Sequence, residues 1–418
     1  MISRAMISRR KITPFLFLSF LFLLTVSLHG EPYVSDRGFL VDPPPGYQVQ
    51  ASTAAGQLSF SHRLGAFFEL DLSDRSGDPV ERLRTVLSRL GSGSSSGEGE
   101  IESFDYHGRR AALVRLNFRL DNAGRPVLPP TGGRAARPPA GGRTYEGWAL
   151  CLDRGEDLLL ALAYGPGGNT DLELLGLSCL DSIAPGPAEQ YYWGPVTEFA
   201  WPRGELRETP LFNSSLIVHI AAGDAEAAQG LVDREFQVLR QFERTPQWQE
   251  AWRRFYRMIR RDSWERLADA LFQLERSWNA EALFSKSGET PESAAPGLDD
   301  YALAAKALAY VQDFRYERNL LGSDFVNLVS AITEGRGDCD SRALLWALFL
   351  AQANIPAGIM VSRDYGHAMG IVDIEGPGAR FPFAGRQYLV AETTAKVDLG
   401  LIGQNVSEIG KWLGVMFD

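Results

Sequence analysis

The run Gly335-Arg-Gly-Asp-Cys-Asp-Ser341 leads directly into Arg-Ala-Leu-Leu-Trp-Ala-Leu-Phe-Leu-Ala-Gln-Ala-Asn354, and this stretch decides how the C-terminal part of the chain folds. The first segment is a glycine-containing turn. The second is apolar on nearly every helical face, so it must be a helix buried on all sides. Cys339 therefore stands at the amino end of a core helix. Free N–H groups and the positive dipole end favour a thiolate there, and the thiolate is the nucleophilic form. The same N–H groups can receive the oxyanion formed when an acyl carbonyl is attacked.

Downstream, Gly358–Ser362 reads as a strand, Arg363–Gly366 as a turn, and His367–Ile374 and Tyr388–Thr394 as two more strands. Glu375–Arg386 between the last two reads as a hairpin-like loop. Alternation puts His367 on one face with Met369 and Ile371, and Glu392 with Tyr388 and Val390. Neighbouring antiparallel strands would bring His367 and Glu392 together with a modest stagger. Of the five histidines, only His367 follows the cysteine within this segment. Upstream, Asp299–Val311 has the pattern of an amphipathic helix, Phe314-Arg-Tyr316 of an extended piece, and Asp324–Thr333 of a short helix. Asp338 and Asp340 read as helix-capping groups. A zinc reading of Cys339, Asp340 and His367 lacks a second Cys or His at ligand spacing. Arg336-Gly-Asp338 spells an integrin-type tripeptide, but its place in the turn needs no adhesive role.

Several runs together resemble the transglutaminase-like superfamily: Gly337-Asp-Cys339-Asp, Ala353-Asn-Ile-Pro-Ala-Gly-Ile-Met, His367-Ala-Met, and Tyr388-Leu-Val-Ala-Glu392-Thr-Thr, with Ala309–Tyr316 as the entry segment. The resemblance covers about residues 298–412. It implies a papain-like core with Cys339 as nucleophile, His367 as base and Glu392 orienting the histidine. Glu392 stands where the family more often has Asp.

Upstream of this region, Ser285–Gly297 is small, polar and proline-containing, and reads as a linker. Asp224 to about Leu283 reads as three helices. The second begins at Thr245-Pro246, with Trp248, Trp252, Phe255 and Ile259 lining its packing face. The third is capped by Asp262 and Glu265. Arg253, Arg254, Arg257, Arg260 and Arg261 read as a solvated helix face rather than a nucleic-acid or lipid patch.

Residues 33 to about 187 read as strands with two helices, Val80–Leu90 and Asp171–Ile183. The Gly/Ser run Gly91–Gly99 and the Gly/Pro/Arg-rich Asp121–Arg143 read as loops. The order of these elements, with Pro43-Pro-Pro-Gly46 after the first strand, weakly resembles the PsbP-like α/β sandwich, which implies a binding or docking role.

Met1–Lys11 carries Arg4, Arg9, Arg10 and Lys11 with no acid, and an apolar run follows to Leu28. This is the pattern of a signal peptide or N-terminal anchor. Its removal would move the net charge from −10 to −14. The pI near 5.2 gives no basic field for nucleic acid. Of the three cysteines, Cys151 and Cys179 are free to pair in an exported chain or to sit apart as small buried residues.

The expectation is an α+β multidomain chain: leader or anchor 1–30, an antiparallel-sheet α/β sandwich 31–190, a connector and helical block 191–284, a linker 285–297, and a papain-like, transglutaminase-like α+β domain 298–418. It would be an exported, periplasmic or extracytoplasmic cysteine enzyme acting on amide or peptide bonds, as hydrolase or amine transferase. The alternative is an inert scaffold of the same fold in a cell-envelope binding protein. Expected partners are a protein or peptide substrate and no nucleic acid, with membrane contact only through an uncleaved N-terminal segment. No cofactor and no metal is expected.

Overall fold

The computed structural model describes residues 31–50, 57–73, 77–91, 100–121, 142–285, 298–318 and 323–417. The leader (1–30), nearly all of the linker and most of both long loops lie outside these residues. The chain is mixed α and β with several separate sheets.

Strands β1 (Tyr33–Val34) and β2 (Leu40–Val41) form a small hairpin. A seven-stranded antiparallel sheet follows, built from β3 (Tyr47–Gln50), β4 (Gln57–His62), β5 (Phe67–Ser73), β6 (Glu102–Tyr106), β7 (Arg109–Leu120), β8 (Arg143–Asp153) and β9 (Leu158–Pro166). Their spatial order is β3-β4-β5-β9-β8-β7-β6. Helix α1 (Pro79–Leu90) covers one face through Leu83, Val86 and Leu90. Helix α2 (Thr170–Asp181) covers the other through Leu172, Leu175 and Cys179. Because both faces are covered, β9 is apolar without interruption from Leu158 to Ala163. Cys151 belongs to the α1 side and Cys179 to the α2 side, and both are free thiols.

A short helix α3 (Pro195–Ala200) and a hairpin of β10 (Leu206–Pro210) and β11 (Ile217–Ala221) lead into α4 (Asp224–Arg240) and α5 (Trp248–Ser285). Here two sequence expectations are corrected. The expected break at Asp262 does not exist, and α5 runs unbroken for 38 residues. The Asp262 carboxylate accepts two 3.1 Å hydrogen bonds from Arg266, one turn on, instead of capping backbone N–H groups. Nor is the arginine cluster a solvated face. Arg254 is 2% exposed and donates to the Asp42 carbonyl at 2.6 Å, to Glu235 at 2.7 Å and to the Ser178 carbonyl at 3.2 Å. Arg257 grips both oxygens of Asp42 at 2.9 Å. Arg261 caps the carbonyls of Asp181, Ser182 and Ile183. A planar fork of N–H donors suits such multiple contacts, so these arginines fasten α5 to the seven-stranded sheet unit.

The remaining elements are α6 (Asp300–Gln312), β12 (Arg315–Tyr316), α7 (Leu328–Glu334), β13 (Arg336–Gly337), α8 (Cys339–Gln352), β14 (Ala357–Ser362), β15 (His367–Val372), β16 (Arg380–Phe383), β17 (Arg386–Ala391) and β18 (Leu413–Met416). The last five strands form an antiparallel sheet in the order β16-β17-β15-β14-β18. Helix α8 lies on one face, against Ile359, Val361, Ala368, Val372 and Ala391. Its leucines are sealed from water, each contributing about 1.5–3 kcal/mol of transfer free energy. Gly370 is needed where it stands: a Cβ there would lie 2.3 Å from the Trp346 ring. The Trp346 indole N–H donates to the Ala304 carbonyl of α6 at 3.0 Å, which satisfies its one polar atom. The other sheet face carries Met360, Met369, Ile371, Tyr388, Val390 and Trp412. Among the described residues, no helix is long and apolar enough to cross a membrane.

Candidate active site

The turn before α8 is pinned from several sides. Gly335 ends α7 in the left-handed conformation at φ 62°. β13 then pairs in parallel with β12, Tyr316 opposite Gly337. Asp338 is the N-cap of α8, accepting from the Ser341 N–H at 2.8 Å and the Ser341 hydroxyl at 2.5 Å. The Ser341 hydroxyl in turn accepts from the Val326 N–H at 3.0 Å. Cys339 is the first residue of the helix and is 5% exposed. The backbone N–H groups of Ala368 on β15 and of Asp340 are turned toward its sulfur.

His367 opens β15, and Glu392 follows β17 directly. β15 and β17 pair with Gly370 opposite Ala391. Continuing that register sets Glu392 level with Met369, one diagonal step from His367. The diagonal is closed by a 2.8 Å contact between His367 Nε2 and Glu392 Oε2. The other carboxylate oxygen, Oε1, accepts from the Thr394 N–H at 2.8 Å and the Thr394 hydroxyl at 2.6 Å. Burial alone would raise the Glu392 pKa, but the imidazole and Thr394 outweigh it and hold the carboxyl below its ordinary range. Gln312 of α6 fastens the same loop, donating to the Glu392 carbonyl at 2.8 Å and the Val397 carbonyl at 2.9 Å. Trp412 stands edge-on to the His367 ring at 6.2 Å, with Tyr365 behind it at 5.6 Å.

His367 and Glu392 are thus joined directly, and Cys339 meets the same strand through the Ala368 amide. No thiol–imidazole hydrogen bond is present among the described residues. With Nε2 engaged by Glu392, Nδ1 is the ring nitrogen available to a thiol.

The electrostatics correct one sequence expectation. The helix end by itself predicts a lowered pKa for the thiol. Instead, burial pushes the Cys339 thiol far up, and Asp340 and Asp338 push it further against the two N–H groups. Burial also raises both aspartates above the ordinary carboxylate range, with Asp324 adding repulsion at Asp338 and Asp338 adding it at Asp340. Tyr256, buried on α5, faces Asp340. Asp338 does cap the helix, but together with Asp340 it also charges the surroundings of the nucleophile against a thiolate.

Residues that the sequence reading does not single out include Thr394, Gln312, Trp412, Tyr256 and Arg342. Arg342 carries a usable signal, being the one cation in an otherwise apolar core helix, three residues after the cysteine. Tyr256 carries none, since its place here depends on the packing of α5. A shallow cleft between the Pro43–Gly46 turn and α5 shares no residue with this cluster, and its Arg257 is already committed to Asp42. Among the described residues, no group of three or more side chains of metal-ligating type comes together.

No protein-family profile matches the chain, and no curated protein does. Among solved structures 14 chains match. One is a crystal structure from Bacteroides thetaiotaomicron VPI-5482 at 1.50 Å resolution. It is 10% identical and has a TM-score of 0.25, with the match covering 56% of this chain and 77% of that one. A likeness at that level carries no argument about fold or function.

Proposed function

We propose that residues 298–418 form a transglutaminase-like, papain-type cysteine enzyme domain acting on amide or peptide bonds, with Cys339 as nucleophile, His367 as base and Glu392 as the group that orients it. One observation carries the reading. The 2.8 Å His367–Glu392 contact closes on the strand whose Ala368 amide faces the Cys339 sulfur at the head of a buried helix. His367 Nδ1 would take the thiol proton as sulfur attacks the carbonyl carbon and the C–S bond forms. The C–N bond then breaks, and the imidazolium returns the proton to the leaving amine. Water or a second amine would release the acyl group from the thioester. Because the thiol is held neutral at rest, proton transfer and attack would proceed together rather than from a preformed thiolate. The seven-stranded unit, read as a PsbP-like sandwich, would position substrate or dock the enzyme at the cell envelope of an exported chain.

The burial of Cys339 and its raised pKa favour a second reading, a scaffold that keeps the fold without turnover. Incubating the full chain with a fluorescent primary amine and a glutamine-rich protein, and separately with a peptide library, distinguishes the two. Amine incorporation or cleavage that vanishes in Cys339→Ala and His367→Ala supports the enzyme. Neither product at any pH from about 6 to about 10 sinks it and leaves the scaffold.

A further inference from the structure

Arg342 is 2% exposed, yet no carboxylate among the described residues comes within ion-pair distance of it. Of the other buried arginines among the described residues, Arg254 and Arg266 each touch at least one, whereas Arg261, at the end of the sheet unit, donates to backbone carbonyls as Arg342 does. The Arg342 guanidinium donates instead to three carbonyls: Gly337 at 3.1 Å, Thr393 at 3.4 Å and Phe314 at 2.5 Å. It also lies 5.6 Å from the centre of the Tyr316 ring. Gly337 is two residues before Cys339, and Thr393 immediately follows Glu392. A single side chain therefore spans the nucleophile's turn, the acid's loop and the β12 edge. Three residues along a helix is also the spacing that sets side chains on one face. A buried cation without a contacting anion is costly, so its charge must be offset by anions slightly farther away. The groups acting on it are Tyr316, Asp338, Cys339 and Glu392, in that order; Asp338 and Glu392 are the carboxylates among them, while Tyr316 and the resting Cys339 thiol would contribute only on ionising.

We propose that Arg342 is a positioning residue that ties the Cys339 turn to the Glu392 loop and supplies the positive charge that offsets negative charge developing on the Cys339 sulfur. The inference rests on the enzyme reading above and deepens it. The charged and titratable groups around the sulfur are accounted for. Asp338 and Asp340 oppose a thiolate, while Tyr256 from α5 and Tyr316 from β12 are neutral at ordinary pH. Arg318, beside Tyr316, is exposed and paired with Asp324 at 3.6 Å. His367 is held by Glu392. Arg342 is left as the buried cation on the nucleophile's own helix.

The test is alkylation of the full chain by iodoacetamide across pH, quantified at Cys339 by peptide mass spectrometry. Arg342→Met keeps length and loses charge, whereas Arg342→Lys keeps charge and loses the fork. An opposite charge close to a titrating group shifts it by roughly 1–3 units, so the Met variant is expected to label about tenfold more slowly at a given pH. The Lys variant should keep the wild-type profile even if both variants unfold at lower temperature. Coincident profiles for Met and wild type, or an equal shift in Lys, would overturn the charge role. Arg342→Gln serves if the Met variant does not fold, with the same shift expected. A shifted profile in Arg342→Met, together with a wild-type chain that turns over no amide, would support this role while removing the enzymatic one.

Discussion

Replacing Glu392 by Gln preserves shape and should still disable the site, for a reason visible in the carboxylate's two oxygens. Oε1 accepts two hydrogen bonds from Thr394, at 2.8 and 2.6 Å, so the amide oxygen of the substituted side chain must take that position. Its NH2 then faces His367 Nε2, where the 2.8 Å contact now lies. An NH2 cannot accept, so Nε2 must give up its proton and the ring carries it on Nδ1. That is the nitrogen needed to receive the thiol proton. A charge-assisted hydrogen bond worth about 1.5–3 kcal/mol is lost, and leaving a buried polar group mismatched adds about 1–3 kcal/mol. At about 1.36 kcal/mol per factor of ten, a total of about 2.5–6 kcal/mol slows acylation of Cys339 by roughly 70- to 25,000-fold. The assay is single-turnover formation of the acyl-enzyme from an activated ester, followed by intact-mass spectrometry. Glu392→Asp, which shortens the arm but keeps the tautomer, should lose less. A Glu392→Gln chain that acylates within about threefold of wild type would refute the tautomer argument.

Other outcomes follow from the same contacts. In Asp340→Asn the Cys339 alkylation profile should move to lower pH. Burial holds the thiol up first, but the Asp340 charge, present in the alkaline range where the thiol titrates, is the next contributor; an unchanged profile would count against it. Arg254→Met leaves Glu235 buried without one of its two arginine partners and should cost about 3–5 kcal/mol in urea unfolding, whereas a loss under about 1 kcal/mol would mean that the bond network adds little. Glu69, half-buried beside the Tyr164 hydroxyl at 2.9 Å, has its pKa pushed up to about 7, loss of solvation being the main cause. Between the ordinary carboxylate range and about pH 7 the folded chain therefore holds more protons than the unfolded one, and stability falls as pH rises. Glu69→Gln should remove that slope and gain roughly 1–3 kcal/mol at about pH 8 with none at about pH 4, checked by urea unfolding at both pH values.

The sequence was most legible where one residue pattern permits one element. The apolar run after Cys339 could only be a core helix, and the strands expected at 358–362, 367–374 and 388–394 are present as Ala357–Ser362, His367–Val372 and Arg386–Ala391, the last ending just before Glu392. β16 was hidden in the Glu375–Arg386 loop because its four residues include Pro382, and β18 because Leu413–Met416 is too short to show a period. The continuity of α5 was masked by Asp262, whose capping chemistry is indistinguishable in sequence from an i, i+4 ion pair. The arginines of α5 mislead for a related reason. A cation's burial depends on carboxylates and carbonyls as distant as Asp42 and Ser178, which no local window contains. The proximity of His367 and Glu392 was legible from face and spacing. The opposing effect of Asp338 and Asp340 on the thiol was not, because it depends on how deeply Cys339 is buried.

The unbroken α5 also bears on how the molecule can be divided. Its arginines reach Asp42 and Ser178 on the N-terminal side. On the other side Phe255 packs on Phe325 at 6.2 Å and Trp278 on Phe349 at 5.4 Å. Tyr256 faces Asp340 beside the cysteine. A chain cut at the linker to free residues 298–418 would strip these aromatic covers from α7 and α8 and leave the nucleophile's acidic neighbours open to water. The fragment would report the chemistry of a different cysteine, more hydrated and more readily ionised. Sequence change at the far sheet also has a stiff lever of 38 residues through which to reach the site.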